Sequence, residues 1–360
     1  MSNDSLMKQA MALALVLALI LAGCTSESQP VNPSNEIPVQ QQAAQEPLPP
    51  PQPPVNDFPE VPEQPIQREI PPEPNMMPPP QAMEQQEYSW GKGDIAIAGN
   101  YADADIIEYE PGKFRMYYGL QPEVSGFKGQ IYSATSSDGI TWTEESGERM
   151  DGATFPSVLK LQDGKFRMYY QSAGVIKSSI STDGLKWTAE SGTRIGTQNK
   201  DGLNLERVGS PTVVKHGDEY LMAYFGAIAE RYQGEMVPNP ETHLFLWATS
   251  ADGLKFETKS IAFDSRNPDF KGWVDGPEFV QWGDELRLYF WGYGGVYHIN
   301  FEETFSEDAV FDYLTPQDNP LVQFPSNPPG DPTLANINGQ WLMYYGQHPE
   351  GIYYVTYLGE

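Results

Sequence analysis

The chain has 360 residues, of which 22 are Lys or Arg and 49 are Asp or Glu, giving a formal net charge of −27. Contact with a nucleic-acid backbone requires clustered basic side chains, so this charge excludes nucleic acid as a partner. The one cysteine, Cys24, leaves no disulfide or thiolate cluster to be formed.

The first 24 residues contain the apolar run MALALVLALILAG, which ends at Cys24. The run is too short for a membrane-spanning helix and has the length of a signal-peptide core. Its final LAGC resembles the lipobox of prokaryotic lipoproteins. This resemblance implies a lipidated Cys24, contact with a membrane through the lipid anchor only, and a location in the cell envelope, periplasmic or extracellular. An ordinary signal peptide with an incidental cysteine is the alternative.

Residues 25–87 are rich in Pro, Gln, Glu and Asn, with runs such as PLPPPQPP and PPEPNMMPPP. Too few apolar side chains are present to offset the entropy of ordering this segment, so we predict a disordered linker biased towards polyproline II. The remaining residues, 88–360, are long enough for one domain with a large core.

Five copies of one sequence unit follow the linker, at intervals of roughly fifty to sixty residues. Each copy has a small entry, a few apolar residues, a turn and an aromatic-rich strand. The copies are YADADIIEYEPGKFRMYYG from Tyr101, TFPSVLKLQDGKFRMYYQS from Thr154, GSPTVVKHGDEYLMAYFG from Gly209, DGPEFVQWGDELRLYFWG from Asp275 and GDPTLANINGQWLMYYG from Gly330.

A second phrase follows three of the copies: IYSATSSDGITWT, IKSSISTDGLKWT and FLWATSADGLKFE. Its Asp-Gly pair indicates a tight turn, because glycine accepts the positive φ that such turns need. Asp138, Asp183 and Asp252 are therefore interpreted as turn residues. Short strands in five similar units predict an all-β, five-bladed β-propeller.

The last copy ends after sequence for only three strands, whereas an additional alternating segment, Gly93 to Gly99, precedes the first copy. We predict that this N-terminal strand of the domain completes the last blade. Closing the ring in this way would remove two exposed sheet edges.

The start of each copy is expected to lie near the propeller axis. When the copies are aligned on Ala104, Pro156, Pro211, Pro277 and Pro332, carboxylates concentrate in the first, fourth and fifth. The position just before the aligned residue holds Asp103, Phe155, Ser210, Gly276 and Asp331. The position two before it holds Ala102, Thr154, Gly209, Asp275 and Gly330. The position one after it holds Asp105, Ser157, Thr212, Glu278 and Thr333.

The repeat architecture of residues 88–360 resembles the five-bladed glycosidase propellers: the arabinanases and β-xylosidases of glycoside hydrolase family 43, and the related invertases and levansucrases. The resemblance implies a catalytic base or nucleophile at Asp103 and a general acid at Asp275. The family has a glutamate at the acid position, one methylene longer. Its acid-orienting aspartate corresponds to Ser210, so that carboxylate is missing here.

Glycoside hydrolysis needs two carboxyl groups on either side of the scissile bond, one of them protonated. Asp103 and Asp275 are the predicted catalytic pair. Asp105 and Glu278 are the reserve pair, and Asp331 is a third candidate that could supply the missing orienting group. The alternative for each is a structural role, in which the carboxylate accepts backbone N–H groups of a neighbouring blade.

Four further residues are candidates for substrate binding: Trp273, Ser210, Arg207 and Arg231. Aromatic faces stack on sugar rings, and guanidinium groups bind hydroxyls or carboxylates. No cofactor is required by the expected chemistry. The resemblance also implies an axial Ca²⁺ or water cluster near a histidine of the last blade, which makes His348 a candidate metal ligand.

The sequence therefore predicts an extracytoplasmic, lipid-anchored protein that acts on carbohydrate, as a glycoside hydrolase using two funnel carboxylates. A non-catalytic glycan-binding lipoprotein is the first alternative, because Ser210 marks an incomplete catalytic set. A protein-interaction scaffold is the second, since propellers serve many functions. The sugar, the linkage and the stereochemical outcome stay open.

Overall fold

The computed structural model describes residues 90–91, 94–197, 202–230, 232, 242–266, 268–292, 295–313 and 330–359. The predicted signal peptide, lipidated Cys24 and linker all lie outside the described residues. Among the residues that are described, no helix is long and apolar enough to cross a membrane.

Within the described residues, the structure consists of strands and the turns between them. In chain order the strands are β1 (Asp94–Ala98), β2 (Tyr101–Glu110), β3 (Lys113–Leu120), β4 (Gln130–Ser136), β5 (Thr143–Glu144), β6 (Met150–Asp151), β7 (Thr154–Lys160), β8 (Phe166–Ser172), β9 (Val175–Ser181), β10 (Thr188–Ala189), β11 (Leu205–His216), β12 (Glu219–Ile228), β13 (Thr242–Ser250), β14 (Glu257–Phe263), β15 (Val274–Trp282), β16 (Glu285–Gly292), β17 (Gly295–Phe301), β18 (Val310–Tyr313), β19 (Gly330–Ile337), β20 (Gln340–Gln347) and β21 (Gly351–Thr356).

These strands form five antiparallel sheets, one for each sequence repeat. Blade one has the order β2-β3-β4-β5 with β6 also paired to β4, blade two β7-β8-β9-β10, blade three β11-β12-β13-β14, blade four β15-β16-β17-β18 and blade five β19-β20-β21-β1. The five strands that begin the repeats contact one another in a closed ring, from β2 through β7, β11, β15 and β19 back to β2. The five-bladed β-propeller predicted from the repeats is confirmed.

The ring is closed by the N-terminal strand of the domain. β1 pairs antiparallel with β21, so that Asp94 lies opposite Tyr354 and Ala98 opposite Gly351. The expected completion of blade five is therefore confirmed. Because β1 occupies the outer edge of a sheet built from the end of the chain, the two ends of the domain are held together by strand pairing.

Aromatic side chains of the second strand in each blade fill the core. Four tyrosines occupy equivalent positions in the repeats and are fully buried, Tyr117, Tyr169, Tyr289 and Tyr344, whereas blade three has Ala223 at this position. Such side chains bury a large apolar area but need a partner for the hydroxyl group. Three of them donate that hydroxyl to an Asp-Gly turn of the next blade, Tyr117 to the carbonyl of Gly184 (2.9 Å), Tyr169 to Gly253 (2.8 Å) and Tyr344 to Gly139 (2.6 Å).

The Asp-Gly turns thus join neighbouring blades. In the turn of blade two, Asp183 Oδ1 accepts the N–H groups of Leu185 and Lys186 at 2.8 and 2.9 Å. These backbone bonds lower the pKa of Asp183 to about 2. Asp138 and Asp252 accept the corresponding bonds in their own turns. The interpretation of the three aspartates as turn residues is confirmed.

The Gly139→Ala substitution is expected to destabilise the fold by about 2–4 kcal/mol, from a strained backbone and overpacking. Gly139 has φ +73°, and an added Cβ would lie 2.5 Å from Ile337 Cδ1 and 2.8 Å from the Tyr344 hydroxyl. Gly164→Ala is the matched control, because Gly164 has φ +81° and no atom within 4 Å of the added Cβ. Chemical denaturation of both variants measures the difference; equal losses would show that the contact with blade five contributes nothing.

Candidate active site

A β-bulge at the same position of every repeat shapes the centre of the ring. The register shifts in each first strand, and the residue just before the aligned proline position has a positive φ: Asp103 (55°), Phe155 (51°), Ser210 (44°), Gly276 (59°) and Asp331 (51°). Bulges redirect side chains and are common beside functional sites. All five of these residues line one small pocket on the axis.

Asp103 and Asp331, on neighbouring blades, form a buried carboxyl pair in this ring. Burial raises the pKa of Asp103 to about 7, and the negative charges of Asp275 and Glu123 raise it further, against hydrogen bonds from Asp331 and from the Phe155 backbone. Burial also holds the pKa of Asp331 well above its usual range, with the charges of Asp103 and Asp275 adding to the rise. Asp331 donates a hydrogen bond to Asp103, so Asp331 is the member of this coupled pair that carries the shared proton.

Asp275, on blade four, is the third carboxyl group of this set and has a different environment. Its Oδ1 accepts the N–H of Gly276 at 2.9 Å, and its Oδ2 lies 3.6 Å from Nδ1 of His243. Its side chain is 13% exposed. Gly276 packs closely on blade five, because an added Cβ would lie 2.4 Å from the Cα of Asp331. Asp331 therefore lies in the ring between the blades that carry Asp103 and Asp275.

His243 joins Asp275 to Arg207. Its imidazole ring is 1% exposed and stacks between Phe225, at a centroid distance of 4.6 Å, and Trp273, at 4.0 Å. Nε2 of His243 lies 3.0 Å from Nη2 of Arg207, whose guanidinium group also lies over the Phe225 ring at 4.8 Å. The predicted binding residues Arg207 and Trp273 are thus brought to one place, around a histidine that contacts Asp275.

Asp105 and Glu278 follow the bulges in their strands, and both serve contacts between blades. Asp105 Oδ2 accepts the N–H of Val158 on blade two at 2.8 Å. Glu278 accepts the hydroxyls of Thr212 at 3.1 Å and Thr333 at 3.3 Å. Burial raises the pKa of Asp105 to about 7. Burial also raises the pKa of Glu278 well above its ordinary value, and the negative charge of Asp105 adds to this second rise.

The same inter-blade pattern includes residues without charge. Ser157 Oγ accepts the N–H of Val213 at 3.1 Å, and Thr212 Oγ1 accepts the N–H of Phe279 at 3.0 Å. Ser157, Thr212 and Asp105 each accept a backbone N–H from the next blade at the same position of their repeats. The bond made by Asp105 is therefore a structural contact between blades. Such a contact was the alternative considered for the axial carboxylates.

The pocket on the axis is small. Its volume, measured for the centre of a water-sized sphere, is about 20 Å³. Such a volume holds about one water molecule. A larger cavity of about 530 Å³ lies around Arg194 and Tyr224 in blades two and three and contains none of the axial carboxyl groups.

Ser210 and Trp273, two of the predicted binding residues, are buried. Ser210 is 3% exposed and lines the axial pocket. Trp273 is 7% exposed and also contacts Trp291, at a centroid distance of 5.9 Å. Arg231 lies outside the described residues. Nδ1 of His348 lies 3.6 Å from Glu123 Oε2, and burial lowers the pKa of His348.

In the part of the chain that the structure describes, no group of three or more His, Cys, Asp or Glu side chains is placed to hold a metal ion. The role of His348 as a metal ligand therefore has no further support and stays a prediction.

Among the histidines, His348 was selected from the sequence and His243 was not. In the structure His298 Nδ1 lies 2.5 Å from Asp312 Oδ2, on strands distant from the start of the repeat. His243 lies two residues before the second shared phrase of blade three, and this place in the repeat is the signal that could have found it. Counting back from each Asp-Gly pair, His243 stands where the other copies have Gly129 and Gly174.

A comparison with protein-family models gave no match, and neither did one with curated protein sequences. Solved structures do resemble the chain. A candidate glycosidase from Bacteroides thetaiotaomicron has a TM-score of 0.53 and 15% identity, with 72% of this chain and 87% of that chain covered. A candidate glycoside hydrolase from Parabacteroides distasonis has a TM-score of 0.52 and 14% identity, with coverages of 73% and 88%.

A thermostable family-43 glycoside hydrolase is also similar, with a TM-score of 0.52, 14% identity and coverages of 72% and 88%. At such identities the likeness concerns the fold. The chain therefore has the five-bladed propeller fold found in glycosidases of family 43, as the resemblance in its repeats implied.

Proposed function

We propose that this protein is a carbohydrate-active enzyme, a glycoside hydrolase whose two catalytic carboxyl groups are Asp103 and Asp275. The observation that carries the proposal is the contrast between carboxyl environments at one end of the axis. Asp103 is buried beside Asp331, which donates a hydrogen bond to it. Asp275 Oδ1, by contrast, accepts the N–H of Gly276, and its Oδ2 lies 3.6 Å from Nδ1 of His243. Hydrolysis of a glycosidic bond needs one proton-bearing and one ionised carboxyl group.

Asp331 supplies the orienting group in this proposal. The resemblance implied an aspartate at Ser210, which would have oriented the acid from blade three. Here the carboxyl group that hydrogen bonds to a catalytic residue comes from blade five. The similarity of the fold to glycosidases supports the substrate class, because the structural neighbours named above act on carbohydrate by their descriptions.

Release of sugar from a panel of substrates tests the proposal. We expect the full chain to cleave at least one arabinofuranoside, xyloside, fructan or β-1,2-linked mannoside, and Asp103→Asn to abolish that cleavage. Asp163→Asn is the control, since Asp163 is an exposed hairpin residue paired with Lys165 at 2.7 Å. No release from any member, or release that persists in Asp103→Asn, contradicts the proposal.

The same panel separates the alternatives. A glycan-binding protein would retain affinity for one of these glycans, measured by calorimetry, without turnover. A scaffold would show neither binding nor turnover. The lipid anchor at Cys24 and the location in the cell envelope belong to the proposal as well, on the support of the LAGC motif alone.

A further inference from the structure

We infer that His243 is a positioning residue that donates a hydrogen bond from Nδ1 to Asp275 and is fixed in that tautomer by Arg207. The inference rests on the proposed function, because it assigns the roles of the two carboxyl groups in that reaction. Asp275 becomes the base or nucleophile, and Asp103 becomes the proton donor. This order is opposite to the one that the resemblance implies.

The histidine is held rigidly. Phe225 lies almost parallel to its ring, at an interplanar angle of 6°, and Trp273 covers the other face at 29°. Its backbone N–H donates to the carbonyl of Gly272 at 2.9 Å, and its carbonyl accepts the hydroxyl of Ser265. These contacts hold the imidazole ring with Nε2 towards Arg207 and Nδ1 towards Asp275.

The contact with Arg207 decides which nitrogen bears the proton. A guanidinium group has five N–H donors and no acceptor, so the His243 nitrogen that it contacts at 3.0 Å has to accept. Nε2 therefore carries the lone pair, and the single ring proton is on Nδ1, which faces Asp275 Oδ2 at 3.6 Å. That separation is long for a hydrogen bond, and contacts of this kind shorten when substrate closes a site.

Two donors then face Asp275, the Nδ1–H of His243 and the N–H of Gly276. Asp103 has the opposite surroundings, a buried carboxyl partner and the nearby negative charge of Asp275. The proton needed by the leaving group is therefore on the Asp103–Asp331 side of the ring.

In the reaction, the bond between the anomeric carbon and the leaving oxygen breaks with its electron pair, and that oxygen takes a proton from Asp103, which Asp331 supplies through their hydrogen bond. In an inverting reaction Asp275 removes a proton from the water that attacks the anomeric carbon. In a retaining reaction Asp275 itself forms an ester with that carbon, and the ionised Asp103 then takes a proton from the water that cleaves the ester.

Nitrogen NMR of the His243 ring tests the tautomer without any substrate. At neutral pH we expect Nε2 to have the shift of an unprotonated nitrogen and Nδ1 that of a protonated one. Arg207→Met should change this pattern, whereas Arg287→Met, which removes a guanidinium group paired with Glu285 at 2.7 Å, should leave it unchanged. A protonated Nε2 in the unmodified protein overturns the inference.

Two substitutions test the positioning role on whichever glycoside is cleaved. His243→Asn keeps an N–H near the place of Nδ1, and we expect kcat within about threefold of the unmodified protein. His243→Phe keeps the stack on Phe225 and Trp273 but has no donor, and we expect kcat to fall about 10- to 100-fold with little change in KM. Equal losses in the two variants, with both folded by circular dichroism, overturn the inference.

The two proposals fail separately. If no substrate is cleaved but the NMR pattern is as expected, the arrangement of His243 stands and the hydrolase function fails. If a substrate is cleaved and Nε2 is protonated, the function stands and the role of His243 fails.

Discussion

The Asp103→Asn variant is expected to lose activity to an extent that depends on the leaving group. On an alkyl glycoside, whose leaving oxygen needs a proton, we expect kcat to fall by about 10²- to 10⁴-fold, the usual contribution of a general acid. On a nitrophenyl glycoside of the same sugar, whose leaving group departs as a stable anion, the loss should be smaller by at least about tenfold. The physical reason is that Asp103 shares a proton with Asp331 and can deliver it.

The Asp275→Asn variant is the matched comparison. Its role as base or nucleophile is required by both substrates, so kcat should fall by a similar factor on each. The reverse pattern, with leaving-group dependence at Asp275 and none at Asp103, would assign the acid to blade four, as the resemblance to family 43 implies. Steady-state kinetics of the two variants on the two substrates decides between the assignments.

The fold was predictable because each blade repeats its own sequence signals. The Asp-Gly turns, the alternating aromatic strands and the spare segment before the first repeat each have a local physical cause, and each was found where expected. The bulge was not predicted, although alignment on Pro156, Pro211, Pro277 and Pro332 brings its five positions together.

The site was predictable only in part, because its properties depend on pairs of residues far apart in sequence. Alignment brought Asp103, Asp275 and Asp331 to one end of the axis, but it gave no sign that Asp103 and Asp331 share a proton. The partner of Asp275 is a histidine that begins a different strand, after a long insertion in blade three. Contacts such as that of Arg207 with His243 arise from the close approach of side chains that no local pattern specifies.

The free energy of unfolding of the protein is expected to fall as the pH rises from about 4 to about 7. An exposed aspartate loses its proton near pH 3.9. The pKa of Asp103 in the fold is raised to about 7, as is that of Asp105. Between these values the folded chain holds protons that the unfolded chain has released, so raising the pH favours unfolding.

Asp331→Asn isolates this effect at one group. The pKa of Asp331 is raised further, to well above its ordinary range, chiefly by burial. Asparagine is neutral at every pH and can donate an N–H to Asp103 as the protonated acid does. We expect it to raise the free energy of unfolding at pH 7.5 and to raise it less, or not at all, at pH 4.5. Urea denaturation at the two pH values measures both differences.

Asp163→Asn is again the control, because its exposed carboxylate should change stability little at either pH. A gain for Asp331→Asn that is equal at pH 4.5 and 7.5 would show that the substitution improves packing and that Asp331 carries no costly proton. A loss at pH 7.5 would show that the ionised group is stabilised in the ring. The expected result, more stability with less activity in the same variant, would mean that the buried proton is kept at the expense of folding because the site needs it.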